Sequence, residues 1–82
     1  MYIDLLSFSP DTSPETLDRL ADDESWVVRR NVAWNRDTLP ETLERLANDW
    51  SWSVRYGVAK NPNTPQYIKT YLKIKRILSC YE

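Results

Sequence analysis

Apolar residues in this chain fall at helical spacing, and the spacing is written twice. Leu20 and Ala21 follow Leu17 by three and four residues, the interval that gathers side chains on one face of an α-helix; Leu43, Leu46 and Ala47 repeat the pattern. A second apolar set, Val28, Val32 and Ala33, is echoed by Val54, Val58 and Ala59. Between the two sets lie Asp22-Asp23 and Asn48-Asp49, polar pairs that end one helix and open the next turn. Two short helices per unit are therefore predicted, the second running over residues 25–34 and 51–60. Residues 12–37 and 38–63 align without a gap, with sixteen of 26 positions identical. A fixed period of this size marks a repeat architecture, in which each unit buries its apolar face against its neighbours. The expected class is all-α.

Local signals refine the picture. Thr12-Ser-Pro-Glu15 and Thr38-Leu-Pro-Glu41 have capping-box spacing, with each threonine expected to cap the first helix and each glutamate to reach back. Ser25 and Ser51 are the expected caps of the second helices, with Asp23 and Asp49 near their positive ends. Asn35 and Asn61 are expected to stop those helices through left-handed dihedrals. Residues 66–79 contain no breaker and predict one longer helix. It would turn Ile68, Tyr71, Leu72 and Leu78 to the stack, with Tyr67 also inward, and Lys69, Lys73 and Arg76 to a second stripe. Residues 5–12 match the tail of a second helix, Phe8 standing where Trp34 stands. The expected organisation is one domain over 1–82: an N-terminal half-repeat cap (1–11), two repeats (12–37 and 38–63) and a C-terminal capping helix (64–82).

Composition changes this little. Eighty-two residues with 28% charged and 41% hydrophobic positions suit a small globular domain. The start of the chain lacks a basic segment, Asp4 interrupts its apolar run, and no stretch is long enough to span a bilayer. With a lone cysteine, Cys80, a cytoplasmic location is expected. Charge is placed unevenly. Residues 1–59 carry eleven acids and six arginines, a net −5, whereas residues 60–82 carry four lysines and Arg76 against Glu82, a net +4.

Val28-Arg29-x-x-Val32-Ala33-x-Asn35 and its copy from Val54 to Asn61, continued by Pro62-x-Thr64-Pro65, resemble the leucine-rich repeat variant, similar in look to HEAT and armadillo solenoids. Each copy is preceded by Leu-x-x-Leu-Ala-x-Asp and a tryptophan, and the likeness covers about residues 5–68. The resemblance implies a right-handed α-solenoid without strands, whose second helices are α or 3₁₀-like. The family's iron–sulfur cysteine cluster has no counterpart here, and no cofactor or metal is expected. Asp23 to Arg29 and Asp49 to Arg55 share a spacing of six that resembles the Asp–Arg ladder of HEAT-like repeats. A structural ladder is expected there, against an anion site as the alternative.

Trp26 and Trp52 recur in register and are expected in the core. Trp34 and Trp50 align with Lys60 and Glu24, so they are candidates for a surface patch. With the valines inward, Arg30, Asn31 and Trp34 are expected outward, beside Tyr56, Gly57 and Lys60 of the next unit. Arginine, tryptophan and tyrosine are common anchors of protein interfaces. Catalysis is not expected, since the chain has no histidine and no glycine-rich loop. The expected function is non-catalytic protein binding through Arg30, Asn31, Trp34, Trp50, Tyr56 and Lys60. The alternative is nucleic-acid binding through Lys69, Lys73 and Arg76, and self-association is a third possibility.

Overall fold

Proline in the first helical turn lacks only an N–H that would have had no intrahelical partner, and two helices begin on it. The computed structural model describes residues 12–79, with side chains as far as Arg76. Five helices form: α1 (Pro14–Leu20), α2 (Trp26–Trp34), α3 (Pro40–Leu46), α4 (Trp52–Lys60) and α5 (Gln66–Ser79). No strand occurs among the described residues, and α2 and α4 are α-helices rather than 3₁₀. The chain is compact, with a radius of gyration of 12.2 Å. The expected N-terminal cap (1–11), Leu78 and Cys80 lie outside the described residues or side chains.

The helix ends depart from the capping-box expectation. Ser13, not Thr12, caps α1, its Oγ accepting from the Thr16 N–H at 3.2 Å; Leu39 stands at the equivalent place before α3 and offers no side-chain bond. Thr38 and its counterpart Thr64 serve the preceding helix instead. Thr38 Oγ1 donates to the Val32 carbonyl and Thr64 Oγ1 to the Val58 carbonyl, both at 2.6 Å. Each adds a second bond to a carbonyl that already accepts the Asn35 or Asn61 N–H, at 3.1 and 3.2 Å, and so fastens the helix C-terminus. Ser25 and Ser51 hold the N-cap positions of α2 and α4 without capping through their hydroxyls. Their N–H groups donate to Asp23 at 2.8 Å and Asp49 at 2.9 Å, which sets the turn into each second helix.

Asn35 and Asn61 end α2 and α4 in extended backbone, with φ of −76° and −71°, so the left-handed expectation fails. Asn61 has a different task. Its Nδ2 donates to the Ala33 carbonyl at 2.7 Å and to the Asn35 carbonyl at 2.9 Å, while its Oδ1 accepts from the Asn63 N–H at 2.8 Å. A fully buried amide is thereby satisfied, and the end of α4 is tied to the end of α2.

The core follows the apolar pattern. Leu17, Leu43, Val32, Val54 and Val58 are wholly buried, and Ile68 and Leu72 close it from α5. The main helix–helix contact is α2 against α4, which run side by side. A Cβ on Gly57 would lie 2.9 Å from Ala33 Cβ and 3.0 Å from Trp34 Cδ1, so this close approach requires glycine.

Charged groups join the units at two places. Arg29, buried, donates from Nε to Asp49 Oδ2 at 2.7 Å and from Nη1 to the Asp23 and Glu24 carbonyls at 2.7 and 3.0 Å. The ladder is therefore a tie from Arg29 to the acid of the next unit. Among the described residues, Arg55 donates to the Asp49 carbonyl alone, at 2.6 Å. The residue 26 places after Asp49 is Lys75, so no acid waits for Arg55 there. On the other side, Asp18 of α1 accepts from Thr42 Oγ1 at 2.8 Å and from Arg45 Nη1 at 2.9 Å, both on α3. These two donors hold the Asp18 carboxyl below its ordinary value, the Thr42 hydrogen bond contributing most.

Candidate partner-binding surface

With Val28 and Val32 turned to the core, residues 26, 30 and 34 fall one above another on the far side of α2, at intervals of four. They are Trp26, Arg30 and Trp34. The same intervals on α4 give Trp52, Tyr56 and Lys60. Each stripe is about 12 Å long from the helical rise. Because α2 and α4 pack side by side, the stripes form one surface.

Ring contacts knit that surface together. Trp34 and Tyr56 meet edge to face across the two helices, with centroids 6.0 Å apart. The Arg30 guanidinium lies 5.4 Å from the Trp26 ring centre, and Lys60 Nζ 5.5 Å from that of Tyr56. The rings stay open to solvent: Trp26, Trp34 and Tyr56 are 40–47% exposed and Trp52 is 70% exposed. At the N-terminal ends of the helices, Trp26, Trp50, Ser51, Trp52 and Ser53 line an open cleft of about 400 Å³. Trp50 is 77% exposed at its rim, with Arg29 5.5 Å from its ring centre.

Of the expected outward residues, Arg30, Trp34, Tyr56 and Lys60 come together here, with Trp50 at the edge. Asn31 does not. It is 1% exposed, because it follows Val28 by three residues and so shares the inner side of α2. Its Oδ1 accepts from Arg30 Nη2 at 3.3 Å, and its Nδ2 has no hydrogen-bond partner among the described residues. Gly57, the equivalent position on α4, is likewise buried, beneath Trp34.

Trp26 and Trp52 reverse the core expectation. Each precedes its inward valine by two residues, about 200° around the helix, which puts the ring on the outside. Tyr67 and Tyr71 also lie outside the core, 63% and 43% exposed. Their hydroxyls donate to Glu44 at 3.2 Å and Asn48 at 2.7 Å along the edge of α3.

On α5, Lys73 and Arg76 are exposed and Lys69 is partly buried. By the period, Lys69 and Lys73 occupy the places of Leu43 and Ala47, which in the second unit are buried. Among the described residues, no cluster of three or more acidic, cysteine or histidine side chains could hold a metal ion, and no helix is long and apolar enough to cross a membrane. In comparisons with known proteins, no family model, curated protein or solved structure matches the chain.

Proposed function

We propose that this chain is a short right-handed α-solenoid of the leucine-rich repeat variant kind, acting as a non-catalytic protein-interaction module. The partner docks across the second helices, on Trp26, Arg30, Trp34, Trp52, Tyr56 and Lys60, with Trp50 extending the site. One observation carries this reading: two in-register stripes of partly exposed rings and cations lie side by side on a packed frame. Soluble monomers rarely leave such ring-rich patches open without a use for them, and tryptophan, tyrosine and arginine dominate interface hot spots.

Nucleic-acid binding by the last helix has less support. Lys69 and Lys73 stand where another repeat would place apolar residues. Lysine there keeps the end of the stack soluble, as a terminal cap must. The experiment is capture of proteins from host extract on the immobilised chain, with and without nuclease. A discrete partner should be retained by the parent, survive nuclease and be lost with a Trp52→Ala Tyr56→Ala variant. Capture that depends on nucleic acid, or that ignores the two substitutions, would overturn the proposal.

A further inference from the structure

Charge around the ring-bearing face identifies the kind of segment it would take. α2 and α4 carry Arg29, Arg30, Arg55 and Lys60 and no acid; beyond Asp49 no acid occurs until Glu82. Among the described residues the acids lie on α1 (Glu15, Asp18), on α3 (Glu41, Glu44) and in the turns between helices (Asp22 to Glu24, Asp37 and Asp49). Arg29 is neutralised by Asp49. Arg30 and Lys60 form no ion pair among the described residues and rest against rings instead. Both side chains have several donors to offer an incoming group.

We infer that the occupant is a short acidic peptide segment, its carboxylates meeting Arg30 and Lys60 and its apolar side chains lying among Trp26, Trp34, Trp52 and Tyr56. This deepens the protein-binding reading and rests on it. The dimensions agree with a segment. The face is about 12 Å long and one helix spacing, roughly 8–10 Å, across. An extended chain rising about 3.3 Å per residue crosses it in about four residues. A stable globular interface would need roughly 800 Å² on each partner. Single-stranded nucleic acid also stacks on rings, but about four stacked bases bring as many phosphates to the two cations, Arg30 and Lys60, that lie against these rings. A peptide can match two cations with two carboxylates.

Selection of phage-displayed random decapeptides on the immobilised full chain reads the charge preference directly, with oligothymidylate titrated in parallel. The enriched pool should be rich in aspartate and glutamate beside aliphatic or aromatic residues. A representative acidic peptide should bind about tenfold or more weakly to Arg30→Glu Lys60→Glu, and several-fold more weakly to Arg30→Gln Lys60→Gln. Circular dichroism confirms that each variant is folded. It should also bind more weakly to Trp52→Ala Tyr56→Ala. A neutral or basic pool whose binding still falls with the ring substitutions would overturn the acidic preference and leave the surface standing. No enrichment, or enrichment indifferent to the ring substitutions, would overturn both. Oligothymidylate binding tighter than the acidic peptide would replace peptide by nucleic acid. Self-association abolished by the ring substitutions, without peptide enrichment, would replace it by a second copy of the chain.

Discussion

The two sides of this small stack use their polar groups differently. On the side of α1, α3 and α5, polar groups are turned on one another across the units. Asp18 takes Thr42 and Arg45, and the hydroxyls of Tyr67 and Tyr71 reach Glu44 and Asn48. On the side of α2 and α4, Arg30 and Lys60 touch rings and, among the described residues, no acid, and four rings stand partly in water. The difference teaches where to look for function in a repeated frame. A residue already bonded across units is holding the stack together, whereas a large or charged residue without such a bond is available to something else. Arg29 and Arg30, adjacent in sequence, fall on opposite sides of that line.

The contrast can be broken most forcefully at Arg29. Replacing it by alanine leaves the Asp49 carboxylate, itself only 8% exposed, without its cation and opens two carbonyls. We expect a loss of about 3–5 kcal/mol, a large share of the roughly 4–12 kcal/mol typical of a domain this size. Arg55→Ala, which removes one bond to a carbonyl, should cost about 1 kcal/mol. Urea unfolding of the two variants checks the ratio. Equal losses would show that the inter-unit tie adds nothing.

Gly57→Ala probes the close approach of α2 and α4. The added methyl meets Ala33 Cβ at 2.9 Å, and neither atom can swing away. Overpacking of about 1–3 kcal/mol outweighs the gain in helix propensity of up to about 1 kcal/mol, so a net loss of about 1–2 kcal/mol is expected. A more stable variant would mean that the two helices are not packed this closely.

These expectations show what the sequence carried and what it hid. The valine pairs, the leucines of the first helices and the length of α5 follow directly from apolar spacing, and all were placed correctly. The threonines and asparagines were misread because their roles are tertiary. Thr38 looks like the cap of the helix that follows, yet its hydroxyl closes the helix before it. Asn61 looks like a left-handed stop, yet it bonds to backbone more than 20 residues away. In the site, Arg30, Trp34, Tyr56 and Lys60 were legible because they vary between otherwise matching units. Trp26 and Trp52 were not, since identity between repeats marks a buried tie and a repeated surface ring alike. Only the angle around the helix separates the two.

Smaller effects sharpen the contrast further. Asp18 is about half exposed, so its bonds to Thr42 and Arg45 should contribute under about 1 kcal/mol. Its folded-state carboxyl is held below the unfolded value near 3.8, so this stabilisation is present above that value. It is lost as pH falls through the lower folded one. Asp18→Asn should therefore be slightly less stable than the parent at neutral pH and equal to it well below pH 3.8, as read by thermal melts. Trp52→Ala should have the smallest effect of all, within about 0.5 kcal/mol, because its ring is 70% exposed. A loss above 2 kcal/mol would place that ring in the core after all.

The most direct test of the ring-bearing face is acrylamide quenching of tryptophan fluorescence in the folded chain, before and after addition of a captured partner or selected peptide. All four tryptophans are at least 40% exposed. The account predicts that quenching of the free protein is nearly as efficient as that of the urea-unfolded chain, and that it falls when the ligand covers the face. Strong protection in the free protein, or quenching unchanged by a bound ligand, would contradict it.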